Sequence, residues 1–156
     1  MNWFSHLICY FSSFLLLNNH DVQMSQFELS RSGIDLVLTI NVEKANFFRS
    51  LKNFQTMILK EQKAEVNDYL QRKTLWIINE SSHYICNYSL VQDKGHFLIQ
   101  GYFENVPQKI DQIYFKNEFL TEEIYGHLNI VHFRLNQQLR SFKMDKSREK
   151  ITVEFN

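Results

Sequence analysis

The sequence predicts a mainly β fold: an antiparallel sandwich-like or barrel-like sheet with two short helices inserted after the second strand. Three observations carry this expectation. Apolar residues recur at every second position in several short runs, as in Ile34, Leu36, Leu38, Ile40 and Val42, and again in Ile151, Val153 and Phe155. Turn-forming residues separate these runs at intervals of about 8–12 residues, the spacing of an all-β sandwich or barrel. Early in the chain the period changes to that of a helix, because Phe47, Leu51, Phe54 and Ile58 are spaced four, three and four apart.

Each element has a local reason. Val22 to Leu29 forms a first strand, Ser32-Gly33 turns the chain, and Ile34 to Val42 returns beside it as a hairpin. The first helix carries Phe47, Leu51, Phe54 and Ile58 on one face, with Asn46 or Asn41 as its cap. The second runs from Glu61 to Arg72, burying Val66, Tyr69 and Leu70 and turning Glu61, Lys63, Glu65 and Asp68 to water. Leu75 to Asn79 is the next strand. Tyr84, Cys86, Tyr88 and Leu90 then alternate on one face, and Asp93-Lys94-Gly95 turns the chain back into Phe97, Ile99 and Phe103, with Gly95 left-handed. Ile110 to Lys116, Leu128 to Leu135, Leu139 to Met144 and Lys150 to Phe155 complete the set. Thr121-Glu122-Glu123 reads as a polar helix start, with acidic groups placed to complement a helix dipole.

The first residues are unlike the rest. Trp3 to Leu17 contains no charged side chain, and Asn18, Asn19, His20 and Asp21 close the run. A run of fifteen residues is too short to span a bilayer as a helix, which needs roughly 20, but it matches the apolar part of a secretory signal peptide. Residues 1–19 are therefore read as a leader and 20–156 as one strand-rich domain. The alternatives are an uncleaved anchor, or initiation at Met24. Without the leader, Cys86 is the only cysteine, so no intramolecular disulfide forms and a buried inert thiol is expected.

Charge narrows the range of partners. Seventeen basic residues balance seventeen acidic ones among 156, so the chain lacks the field that draws proteins to phosphate backbones, and nucleic acid is not an expected partner. Motifs for chemistry are few. Four glycines leave no phosphate-binding loop, and neither G-x-S-x-G nor H-E-x-x-H occurs. The one metal alternative joins His20, His127 and His132, with Glu122 or Glu123. His127 and His132 are five residues apart, however, and within one strand that spacing places them on opposite faces. No cofactor is expected.

The C-terminal third carries a resemblance. Ile113 to Asn117, Phe119-Leu120-Thr121-Glu122, Asn129-Ile130-Val131-His132, Arg140-Ser141-Phe142 and a closing Phe155 follow in order. This resembles a family of small exported bacterial proteins classed as a domain of unknown function, with N-x-L-L, a short acidic stretch, Q-N-I-V-H-V and a K/R-S-L-x-L strand ending in Phe. His20 resembles the His at the start of that family's mature chain, and Ser25 falls near the Ser of its first strand. Leu36 to Ile40 and Tyr69-Leu70 also have counterparts, and Leu128 stands where the family has Gln. The resemblance covers roughly residues 20 to 155 and implies export and a small strand-rich domain. It brings no known activity.

The functional expectation is accordingly an exported, periplasmic or cell-envelope protein that binds or assembles with an envelope partner or ligand without catalysis. The alternatives are a histidine-based metal protein or metal-dependent enzyme, and a membrane-anchored accessory protein that meets the membrane only through an uncleaved leader. Asn117, Asn129 and Ser141 are expected to be structural, with the Asn side chains bonded to the main chain of neighbouring loops.

Overall fold

The structure, a computed structural model, describes residues 23–83 and 85–155, with the main chain alone at 86–88 and 93. The described chain is mainly β, in two packed sheets. The larger has the order β5-β6-β2-β1-β8-β9 and the smaller β10-β7-β3-β4. Strands β1 (Met24–Ser32) and β2 (Asp35–Glu43) form the expected hairpin, and β6 (His96–Phe103) pairs with β2 on its other side. Strand β5 (Ile85–Asp93) is one edge of the larger sheet, and β8 (Leu128–Leu135) and β9 (Gln138–Met144) complete it at the other. The smaller sheet contains β3 (Thr74–Ile78), β4 (Ser81–His83), β7 (Gln112–Asn117) and β10 (Lys150–Glu154).

Alternation along the strands turns one face of each sheet inward. Phe27 and Leu29 of β1, Leu38 and Ile40 of β2, and Val131 and Phe133 of β8 face Trp76 of β3, Ile113 and Phe115 of β7, and Ile151 and Val153 of β10. Rings dominate the contact. Trp76 stacks on Phe115 with centroids 3.6 Å apart, and Phe47 meets Phe54, Tyr69, Phe97 and Phe119 within 6.1 Å. Such edge-to-face and offset pairs add to the area term of burying large side chains. One pairing departs from the antiparallel rule: β1 runs parallel to β8, with Ser25 opposite Asn129 and Phe27 opposite Val131.

Two helices follow β2, as the period change predicts, but their boundaries differ. Helix α1 covers Lys44–Ser50, a short 3-10 turn covers Phe54–Thr56, and helix α2 covers Leu59–Lys73. The four-residue spacing therefore does not form one helix out to Ile58. Leu51 adopts an extended conformation and Asn53 a left-handed one, which ends α1 and redirects the chain. Phe47, Leu51 and Phe54 are still buried, because the 3-10 turn keeps Phe54 on the same side, whereas Ile58 is 65% exposed at the start of α2. Neither Asn41 nor Asn46 caps α1. Asn41 lies in β2, and Asn46 lies inside the helix with its amide on Glu43 Oε2 at 3.2 Å. At α2, Glu61 accepts a bond from the Ile58 N–H at 3.2 Å, half of a capping box.

Other details are also corrected. The positive φ of the β5–β6 turn falls on Lys94, not Gly95. The β5–β6 ladder is irregular between Cys86 and Ser89, so strict alternation does not run from Cys86 to Leu90; Tyr84 and the side chains of Cys86 and Tyr88 lie outside the described residues. Residues 119–126 form a series of turns rather than a helix led by Thr121. No helix among the described residues is long and apolar enough to cross a membrane.

The packing predicts a contrast within one four-residue spacing. Phe47→Ala should lower unfolding free energy by about 3–5 kcal/mol, the usual loss for a buried aromatic. Ile58→Ala should change it by less than about 0.5 kcal/mol. Urea denaturation of both variants tests whether Ile58 lies outside the core, and equal losses would place it inside.

Candidate functional site

The parallel β1–β8 pair and the turns after β7 meet at one end of the sandwich. Leu128 N–H donates to the Gln23 carbonyl at 2.9 Å, which seats the start of β8 beside the start of β1. The intervening turns are held from inside. Phe119 is buried and packs edge-on against Phe27 and Tyr69, at 5.3 and 5.6 Å. Its N–H donates to Asn117 Oδ1 at 3.0 Å, and its carbonyl accepts from Asn129 Nδ2 at 2.8 Å. Both asparagines are fully buried, and each replaces a strand bond that the turning main chain at Phe119 lacks. The next N–H, from Leu120, donates to the Tyr69 hydroxyl at 3.1 Å, and Leu120 itself has φ of 60°. A non-glycine residue is rare in that conformation, and three surrounding attachments maintain it here.

The outer side of the same segment is tied by charge. Lys73, at the C-terminal end of α2, bonds Glu122 and reaches Glu123 at 3.0 Å. Burial alone would lower the Lys73 pKa, but the hydrogen bonds from Glu122 and Glu123 outweigh it and raise the value. Lys73 in turn holds the Glu122 carboxyl below its usual range. Burial pushes the Tyr69 hydroxyl above its ordinary value, so it stays protonated.

His127 closes the segment. It is 1% exposed, and its Nε2 lies 2.9 Å from Oγ of Ser25, which is itself fully buried. Its Nδ1 makes no hydrogen bond among the described residues, and neither do Asn129 Oδ1 and Asn117 Nδ2. Burial lowers the His127 pKa to about 4, against the pull of the Glu123 charge and the Asn129 side chain. The ring is therefore neutral at pH 7. A serine hydroxyl beside an imidazole is the pairing of a nucleophile with its base. Here, however, Ser25 has no solvent-facing surface, and a base of so low a pKa is a weak proton acceptor. The pair fastens β1 to the end of the turn segment.

In front of His127 lies a cleft of about 480 Å³ between this segment and the β9–β10 turn. Its walls are Thr121, Glu122, Glu123, Tyr125, Gly126, His127 and Leu128 on one side and Asp145, Lys146 and Ser147 on the other. Tyr125 is a fully exposed aromatic ring at its rim. Gly126 has φ of 77° and open space where a side chain would stand, which lets the chain turn sharply into His127. Asp145 Oδ1 accepts from the Ser147 N–H at 2.8 Å and from the Ser147 hydroxyl, holding its carboxyl below the ordinary range.

The histidines of the metal alternative separate. His127 is buried behind the cleft wall with Nε2 on Ser25, whereas His132, on β8, has Nδ1 2.8 Å from Oγ of Ser141 on β9. His20 lies outside the described residues. Among the described residues no three His, Cys, Asp or Glu side chains are grouped to hold a metal ion. Sequence reasoning missed the tie between Ser25 and His127, 102 residues apart, as well as Tyr69, Lys73 and Tyr125. A parallel pairing of the first strand with the eighth leaves no local mark that would have revealed the Ser25–His127 contact.

Two outcomes follow. Asn117→Ala and Asn129→Ala should each lower stability by about 1–3 kcal/mol, because each strips a buried main-chain group of its partner; chemical denaturation measures this. For His127, the folded-state pKa lies below the ordinary 6.5, so the unfolded chain takes up the proton first as pH falls. Its contribution is complete above about pH 6.5 and is lost as pH falls toward 4, by up to about 3 kcal/mol. His127→Gln should flatten that slope, and a slope equal to the wild type would assign the pH dependence to other groups. No protein-family model matches the chain, and no curated protein matches it, so the functional reading rests on the geometry of this end of the sandwich.

Proposed function

We propose that the protein is an exported, non-catalytic binding or assembly module of the cell envelope that engages its partner at the cleft beside Tyr125. The observation that carries this reading is a fully exposed aromatic ring at the rim of a cleft whose wall is rigidly attached. Exposed aromatic side chains on fixed supports are typical anchors of protein recognition, because they bury a large area with few rotatable bonds. The wall meets that requirement through the Phe119 ring, the two asparagine bonds, the Tyr69 hydroxyl and Lys73. Ser25, the hydroxyl partner of His127, has no exposed surface and does not line the cleft, which favours binding over turnover. Export is supported by the uncharged run Trp3 to Leu17.

Placing a photo-reactive phenylalanine analogue at Tyr125 should yield a discrete cross-linked adduct in cells, while the same analogue at Lys60 on α2 should not. The absence of an adduct at Tyr125, or one equally strong at Lys60, would reject the cleft as the contact site. For export, mass spectrometry of the native protein should find an N-terminus between about Phe14 and Asp21. A soluble protein that retains Met1 would reject cleavage.

A further inference from the structure

We propose that the protein forms a two-fold dimer in which the open edge strand β5 pairs antiparallel with β5 of a second copy, joining the two larger sheets into one. Strand β5 is paired on one side only, with β6. An edge strand directs every second N–H and C=O away from its sheet, and another strand is what satisfies such a row. The half of β5 nearest the β5–β6 turn is the accessible one. Ile85 lies across a small cavity from Asn67, Leu70 and Gln71 of α2, whereas Ser89, Val91 and Gln92 are exposed. None of the β5 residues lines the cleft beside Tyr125, so one surface can fail without the other.

Three observations make a second copy the occupant. The first is charge. Ile85–Asp93 contains no Lys, Arg or Pro, residues that commonly guard an edge, and its single charged residue is the last. Equal numbers of acidic and basic residues leave the chain without net charge, so two copies approach without long-range repulsion. The second is the outer face beside this edge. Val91 is 50% exposed and stands opposite Leu98 of β6, itself 38% exposed, beside a groove of about 460 Å³ that Asn41, Gln92 and His96 also line. Antiparallel pairing of residues 89–93 with their counterparts about a two-fold axis sets Val91 against Val91 of the second copy. Leu98, Val91, Val91 and Leu98 then cross the axis as one apolar row, and cross-strand pairs of this kind are what stabilise a sheet. The third is closure. Of the remaining edges, β9 carries Arg140 and Lys143, β10 begins with Lys150, and β4 has three residues. With one usable edge on each copy, pairing stops at two copies instead of growing into a filament.

Sedimentation equilibrium of the native protein should show a reversible monomer–dimer equilibrium that moves toward monomer on dilution. Val91→Lys sets like charges face to face across the axis and should weaken dimerisation at least about tenfold, with an unchanged circular dichroism spectrum. On mild oxidation Val91→Cys should give a covalent dimer whose disulfide maps to position 91 of both copies, because directly opposed strand residues lie within disulfide reach. Leu139→Cys, 54% exposed on the β9 edge, should not cross-link under the same conditions. A monomer at every concentration overturns the proposal. So does a dimer indifferent to Val91→Lys, or one in which Val91→Cys cross-links no faster than Leu139→Cys. Cross-linking of a monomeric chain at position 91 to a different protein would assign the edge to a foreign strand and reject self-pairing.

Discussion

Phe119 occupies a position where three requirements of folding coincide. Its ring fills the end of the core between Phe27, Phe47 and Tyr69, and its N–H and carbonyl are bonded to Asn117 and Asn129. A chain leaving one sheet and entering the other must turn through a region without strand partners, and a buried main chain there loses free energy for every unpaired group. The asparagines remove that penalty on both sides of one residue while the ring provides the apolar burial. Because Asn117 ends β7 in the small sheet and Asn129 belongs to β8 in the large one, the clamp also fixes how the two sheets meet at this end.

The parallel pairing of β1 with β8 depends on that arrangement. An antiparallel neighbour can arrive through a short hairpin, but a parallel one needs a long crossover. Here the crossover is most of the domain: both helices, the small sheet's first strands and the turns around Phe119. Once β8 is seated, Ser25 stands opposite Asn129, and His127 folds back onto the serine hydroxyl. The polar row this creates is largely closed to solvent, so its chemistry shows as stability and its dependence on pH rather than as reactivity.

The outer surface of the same segment has the opposite character. The turns that hide Phe119 and His127 expose Glu122 and Tyr125, and the attachments underneath leave these side chains on a stationary wall. Rigid support reduces the ordering required on binding, which makes even a shallow cleft useful to a partner. Three of the four edge strands, β9, β10 and β4, are less inviting. Strand β9 carries Arg140 and Lys143, β10 begins with Lys150 and ends with Glu154, and β4 has three residues, features that discourage edge-to-edge pairing.

What the sequence determined by itself is what a local period can encode. A two-residue alternation is enough to mark β2, β8 and β10, because burial on one sheet face is imposed residue by residue. The helical stripe likewise identified Phe47, Leu51 and Phe54 as core. It overran at Ile58, since a repeat of apolar residues does not register the left-handed turn at Asn53 that ends the helix. The Thr121-Glu122-Glu123 stretch misled for a related reason: acidic residues after a threonine suit a helix start, but here the glutamates answer Lys73, 49 residues away from Glu122. The candidate site was legible only in pieces. Asn117, Asn129 and His127 stood out as types, yet their partners come from the turn at Phe119 and from β1. Tertiary structure decided which groups met, because contacts between residues a hundred positions apart depend on strand order, and strand order is set by the packing of the whole core rather than by any segment of it.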